Sequence, residues 1–365
     1  MECSSEQPRF PARMARALVL SIAVFAFAAA AVAGETVTAF GDSFTEAANS
    51  WVYTVAQTKG WTLTNRAASG SQLGDAGQVD RIFEEQPGRD SRYTLLTGYN
   101  DMRARGRAGI VFFRGTFEAS LAHLALLHEE KVFAADPRIL YHGVWQDVLV
   151  GTRAVRATED PAATATLSVR GETVYVVAER FHTGGGEMLV SVDGVEYGPF
   201  NAARNLPTNR GRASAPFLIR ITSLKAGTHK VVISKSRGSA IAFGWVAGVE
   251  RQPAIRRPLV YAGNAPRMQT NGYVHPRFEQ WSHGSDQAVA SYNDTMCSVV
   301  TLLQADGLDV TYVDVSSAYD PDTAHIADDR IHPSALGHTA IANAFLNAVT
   351  AHETHAVARR ENRGP

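Results

Sequence analysis

Short, wholly apolar runs alternate along the chain with stretches whose apolar positions recur every three to four residues. Val37–Phe40 reads as a buried strand ending at Gly41, and Ala47–Thr58 as the helix that follows it. Trp61–Asn65 and Tyr93–Thr97 read as further strands, with a helical stretch near Gly77–Glu85 between them. Phe112–Val132 keeps a helical period through Leu121, Leu124, Leu126 and Leu127. Strand–helix units in series predict a parallel sheet covered on both faces.

The pattern then changes. Thr164–Val169, Thr173–Ala178, Met188–Val192, Phe217–Ile221, His229–Ser234 and Ala240–Val249 are short β-type segments with no helical period between them. Turn signals separate them at Gly184-Gly185-Gly186, Asp193-Gly194 and Ala226-Gly227, which predicts an antiparallel β-sandwich. Beyond Pro253 and Pro258 the strand–helix pattern returns. Its elements are a strand at Leu259–Ala262, a helix over Ser285–Gln304, a strand at Val310–Val315 and a last helix at Ala335–Val349.

The organisation is therefore one α/β domain in two parts, 34–137 and 256–350, interrupted by a β-sandwich at 138–255. A tail follows at 351–365, expected to be solvated and frayed because it carries Arg359, Arg360 and Arg363. Because the insert begins and ends in one connection, its ends are expected to lie together and the unit to fold by itself.

The length of 365 residues suits this two-domain reading. With 45% hydrophobic and 19% charged residues, cores can form and global disorder is excluded. A net charge of -1 supplies no basic field for nucleic acid. The two cysteines, Cys3 and Cys297, cannot build a zinc cluster, and His123, His128 and His142 lack a compact ligand spacing, so no metal or cofactor is expected.

At the N-terminus, Arg13 and Arg16 precede the apolar run Ala17–Ala33, which ends in Ala31-Val32-Ala33 before Gly34. That is the pattern of a secretory signal peptide over 1–33, with Met14 as an alternative start. A membrane anchor is the competing reading, although 17 residues stand at the short end of a bilayer span. No other stretch is apolar enough to span. Cleavage would leave a secreted or cell-envelope protein with a net charge of -2 and Cys297 as its single cysteine.

Three short motifs carry chemistry. Gly41-Asp42-Ser43 follows the first strand, at the sheet edge where open α/β folds place ligands. Ser43 there is either a reactive hydroxyl or a helix N-cap. Gly98-Tyr99-Asn100-Asp101 follows the Tyr93–Thr97 strand, so Asn100 either donates its amide to a developing oxyanion or belongs to a β-turn. Asp329-Arg330-Ile331-His332-Pro333 follows the last strand. Its spacing lets one loop aim an imidazole at Ser43 while a carboxylate holds the other ring nitrogen, or else it marks a surface helix start. His338 is a rival base without an acid at that spacing. Asp42 and Asp101 are expected to brace these loops rather than ionise in catalysis.

In this order, each after a strand, the motifs resemble the SGNH (GDSL-type) hydrolases, over about 34–135 and 256–350. That resemblance implies a flavodoxin-like three-layer α/β/α sandwich, here with an inserted antiparallel β-sandwich. It implies Ser43 as nucleophile, His332 as general base and Asp329 as its partner. It also implies an oxyanion hole formed by the Ser43 and Gly70 N–H groups and the Asn100 amide, with Gly74 as an alternative to Gly70.

Two departures stand out. Phe44 replaces the leucine common after the serine, and the insert is absent from minimal members. Some members acting on O-acetylated polysaccharide or peptidoglycan carry such an insert, and the layout here is similar. The expected function is a secreted serine esterase removing O-acetyl groups from carbohydrate through an acyl-serine intermediate. Acyl transfer to sugar hydroxyls and lipid-ester hydrolysis are the alternatives, as is a carbohydrate-binding protein on a degenerate scaffold. The expected partner is an acetylated carbohydrate, with no nucleic acid and no membrane span after cleavage. Trp145, Tyr175, Tyr197 and Trp245 could stack on sugar rings or fill the sandwich core.

Overall fold

The computed structural model describes residues 35–73, 78–181, 184–202, 214–252, 256–269, 272–273 and 281–361. The leader over 1–33, Gly74, Gly77 and Pro253 lie outside the described residues. Among those described, no helix is long and apolar enough to cross a membrane.

The first stretch contains β1 (Thr36–Gly41), α1 (Ser43–Glu46), α2 (Trp51–Lys59), β2 (Thr62–Asn65), α3 (Gln78–Phe83), β3 (Arg92–Leu96), α4 (Tyr99–Arg105), α5 (Ile110–Ala125) and β4 (Lys131–Phe133). Ten strands follow: β5 (Leu140–His142), β6 (Gln146–Val150), β7 (Arg153–Thr158), β8 (Thr164–Gly171), β9 (Thr173–Phe181), β10 (Gly186–Val192), β11 (Val195–Asn201), β12 (Ser214–Ile221), β13 (Gly227–Gly238) and β14 (Ile241–Val249). The chain closes with β15 (Leu259–Gly263), α6 (Asp286–Ala305), β16 (Val310–Val313), α7 (Val315–Ala318) and α8 (Ala335–Glu361).

Strands β1, β2, β3, β15 and β16 form a parallel sheet in the order β16-β15-β3-β1-β2. This is the doubly wound, flavodoxin-like order. The chain leaves β1 toward one edge and leaves β3 toward the other, so a crevice opens beyond the carboxyl ends of these two neighbours. Both β3 and β15 are buried at every residue; β15 reads as a continuous apolar run, whereas β3 also buries Arg92 and Thr94.

The remaining strands form an antiparallel sandwich. One sheet runs β11-β10-β13-β8-β5; the other runs β12-β9-β14-β7-β6, and β4 also pairs with β14. Along β9, Val174, Val176 and Ala178 face the sandwich core, while Tyr175 and Val177 join the core that holds Phe117 and Leu121 of α5. Trp245, Ala247 and Val249 of β14 join that same core. The β12-containing sheet is thus apolar on both faces, covered by its partner sheet on one and by α5 on the other.

Several expectations need correction. The sandwich takes a strand from outside the expected 138–255 segment, because β4 precedes residue 138 and pairs with β14. The helix expected to reach Val132 stops at Ala125, where Leu126 turns extended so that Lys131–Phe133 can pair with β14. Strands β5, β6, β7 and β11 carry no clear apolar alternation: β6 and β11 are largely exposed, and β7 buries the charged Arg153. The expected tail is helical through Glu361, held where Lys59 meets Glu353 at 2.6 Å and His352 meets Asp309 at 2.9 Å. Tyr175 and Trp245 are fully buried core residues, whereas Trp145 and Tyr197 are half-buried.

Candidate active site

Ser43 stands directly beyond β1, at the crevice. Gly41 precedes it because a Cβ there would meet Thr45 Oγ1 at 2.4 Å and the Leu96 carbonyl at 2.7 Å. Asp42 caps α1: its Oδ1 accepts the Phe44 N–H at 3.0 Å, and its carbonyl accepts those of Thr45 and Glu46, each at 3.0 Å. The N-cap is therefore Asp42 and not Ser43, so the serine hydroxyl is not consumed in capping. Asp42 is buried, and burial pushes its carboxyl up to about 7 against the Phe44 N–H; nearby Asp101 pushes the same way and Arg103 opposes it.

The loop before α8 is pinned by its own backbone. Ala327 N–H donates to the His332 carbonyl at 2.8 Å, Arg330 N–H to Ala327 at 2.9 Å and Ser334 N–H to His325 at 2.9 Å. Arg330 takes a left-handed φ of 61°, an unusual conformation for a side chain branching from L-geometry. That turn folds the Asp329 carboxylate back. Its Oδ1 accepts the Ile331 and His332 N–H groups at 2.9 Å each, and its Oδ2 lies 2.5 Å from His332 Nδ1. Partial burial would raise this carboxyl, but the imidazole and the two N–H groups outweigh it and hold it below its ordinary value.

His332 Nε2 lies 3.0 Å from Ser43 Oγ. Nδ1–H donates to Asp329, which leaves Nε2 free to accept the serine hydroxyl proton. Phe44 supports the ring, with its centroid 5.9 Å from that of His332 and 4.6 Å from that of Tyr99. His338 is half-buried in α8; burial and the neighbouring His332 lower its basicity, and its Nδ1 has no partner.

Asn100 sits in the first turn of α4, after Gly98. Gly98 needs its φ of 94°, and a Cβ there would meet Met296 at 2.6 Å. Asn100 Nδ2 donates to the Ser71 carbonyl at 3.0 Å, and Asp101 Oδ2 accepts the Leu73 N–H at 2.8 Å. The two residues of α4 thus hold the segment that begins at Gly70. Gly70 itself is left-handed, with φ 68°. Ala68 N–H donates to the Gly41 carbonyl at 2.9 Å, which ties this segment to the end of β1.

The sequence motifs pass over Ser71, Gln78 and Thr97, which lie behind these groups. Thr97 Oγ1 donates to Gln78 Oε1 at 2.7 Å, Gln78 Nε2 to Ser71 Oγ at 3.0 Å, and Ser71 Oγ to the Gly41 carbonyl at 3.4 Å. A polar residue at a helix start carries no signal of such a role. Among the described residues no group of three His, Cys, Asp or Glu side chains could hold a metal ion.

No family model and no curated protein matches the chain. Solved structures do resemble it. A two-domain esterase active on acetylated mannans, crystallised with mannopentaose, aligns at 10% identity over 60% of this chain and 92% of its own, with a TM-score of 0.34. A protein named a GDSL-like lipase from Parabacteroides merdae aligns at 10% identity over 86% and 95%, with a TM-score of 0.39. A protein named an SGNH hydrolase from Slackia heliotrinireducens aligns at 7% over 87% and 99%, with a TM-score of 0.38. The chain is similar to SGNH hydrolases. Likeness of this degree assigns no activity, which has to come from the residues themselves.

Proposed function

We propose that the protein is a serine esterase. The observation that carries this reading is the linear relay Asp329–His332–Ser43, with contacts of 2.5 and 3.0 Å. Ser43 Oγ attacks the ester carbonyl as its proton passes to His332 Nε2, and the imidazolium is stabilised by Asp329. The carbonyl oxygen becomes an oxyanion facing the N–H groups of Ser43 and Gly70 and the Asn100 amide. The C–O bond to the alcohol then breaks, and His332 returns the proton to the leaving alkoxide. Water repeats the sequence on acyl-Ser43 and releases the carboxylic acid.

The substrate class is an ester borne on a large alcohol, with O-acetylated carbohydrate first among them. Support comes from the openness of the relay: the side chains of His332 and Asp329 are 43% and 48% exposed, which suits a short acyl group presented by a polymer better than a long chain needing a tunnel. The apolar leader supports export to the cell envelope or beyond.

Ser43→Ala tests the reading. Turnover of short nitrophenyl esters should fall at least about 10³-fold with folding unchanged, and an organophosphonate should label Ser43 in the parent protein. Acetate release from acetylated mannan, xylan and peptidoglycan, with and without added acceptor sugars, separates polymer hydrolysis from acyl transfer. Retained activity in the alanine variant, or label on another serine, would sink the assignment.

A further inference from the structure

We propose that Gln78 is a positioning residue for the oxyanion hole, a role that rests on the esterase reading of the same site. Gln78 is wholly buried at the start of α3, and both halves of its amide are used. Oε1 accepts from Thr97, the residue immediately after β3, and Nε2 donates to Ser71 Oγ, which donates in turn to the Gly41 carbonyl at the end of β1. The donor direction is the same at all three steps, so each group has one arrangement.

This chain crosses the crevice between the two strands that carry Ser43 and Asn100. It passes through Ser71, whose carbonyl holds one N–H of the Asn100 amide. With that N–H committed, the rotation of the amide is set and its second N–H is the one available to an oxyanion. Ser71 directly follows Gly70, and its N–H donates to the Ala68 carbonyl at 3.2 Å, so the turn that carries the Gly70 N–H is anchored through the residue that Gln78 holds, and both expected donors of this side of the hole depend on Gln78. A donor displaced by a fraction of an ångström loses most where charge develops, in the transition state, and little in the ground state.

Gln78→Met keeps the volume and removes both bonds. On a short nitrophenyl ester it should lower kcat by about 30- to 100-fold with KM changed less than about threefold. In an Asn100→Ala background the same substitution should cost much less, because one of the groups it positions is already gone. Gln78→Glu supplies the signature that mere packing would not produce. A protonated carboxyl offers one acceptor and one donor, as the amide does, whereas the ionised form offers no donor. Its activity relative to the parent protein should therefore recover as pH is lowered, while the methionine ratio stays flat.

An additive loss in the Asn100→Ala background, or a flat pH ratio for Gln78→Glu, overturns the proposal. If Gln78→Met does not fold, Thr97→Val removes the outer bond alone and should still lower kcat severalfold at constant KM; no effect there also overturns it. Absence of any Ser43-dependent ester hydrolysis in the parent protein would instead overturn the esterase reading, whereas an active parent with an unaffected Gln78→Met variant overturns this proposal alone.

Discussion

The hydroxyl of Tyr175, in the antiparallel β12-containing sheet, donates to the carboxylate of Asp306 at the C-terminal end of α6 at 2.6 Å. Arg220 of β12 pairs with the same carboxylate, its Nη2 at 2.9 Å, and Asp306 is buried. A buried anion of the α/β part is therefore neutralised by groups of the sandwich. Arg153 of β7 makes a second link of the same sense, reaching Asp80 of α3 at 2.5 Å while also pairing with Glu179 of β9 at 3.1 Å.

These links predict that the two parts unfold together as one unit. Tyr175→Phe should cost about 1 to 2 kcal/mol, since a bond to a charged acceptor is lost while Arg220 remains. Arg220→Met, which strands a buried carboxylate, should cost about 3 to 5 kcal/mol. Replacing 138–252 by a short linker should yield insoluble protein, because it uncovers α5 and leaves Asp306 unpaired. Urea titrations followed by fluorescence and by Ser43 labelling check this: coincident transitions are expected, and a separate, unshifted transition for the α/β part would refute it.

Asp329→Asn should lower kcat by about 10² to 10⁴, with little change in folding. An amide can present its N–H to Nδ1 and so stabilise the wrong tautomer, leaving Nε2 protonated toward Ser43. Because the His332 ring and two N–H groups hold the Asp329 carboxyl below its ordinary value, the parent protein should keep an ionised Asp329 throughout the pH range used for assays. A pH–rate profile whose acid limb disappears with Asp329→Asn, rather than with His332 substitution, would contradict these roles.

His338→Gln should change kcat less than about tenfold, whereas His332→Gln should abolish relay chemistry. The distinction is geometric: His332 Nε2 reaches Ser43, whereas His338 lies in α8 with its Nδ1 buried and unpartnered. Steady-state kinetics on one nitrophenyl ester decide it, and equal losses would make His338 part of the site.

Asp42 supplies a pH dependence of stability with a definite sign. Its carboxyl titrates near the ordinary 3.8 when unfolded and at about 7 when folded, so between these values the folded protein binds the proton more tightly. Its contribution is fully present below about pH 4 and is lost as pH rises to about 7. The loss is on the order of 4 kcal/mol at 1.36 kcal/mol per unit. Asp42→Asn keeps the cap on Phe44 and removes the ionisation. It should raise the urea midpoint at pH 8 and leave it nearly unchanged at pH 4; an equal shift at both would rule out ionisation as the cause.

Local chemistry carried much of this protein's organisation into its sequence. Strands buried on both faces, such as β3 and β15, must be largely apolar, with Arg92 of β3 admitted only beside Glu35, and the turns at the ends of β1 and β3 must contain glycine where backbone and side chains crowd. Asp329 and His332 stand three residues apart because one turn presents both. These requirements are met within a few residues of each other, so they appear as pattern and motif. Tertiary structure decided whatever depends on groups distant in the chain. Asp42 caps α1 by a local bond to the Phe44 N–H, but what the Ser43 hydroxyl faces is decided by His332, 289 residues away. Gln78 acquires two buried partners only when α3 docks across the ends of β1 and β3. The sandwich is fused to the α/β part because the outer face of β9 and β14 is apolar, a property that alternation alone could not distinguish from a second sandwich face. Strands β6 and β7 carry no sequence signal because an edge strand needs no apolar alternation and a buried arginine needs only carboxylates, here Glu179 of the same sheet and Asp80 of α3.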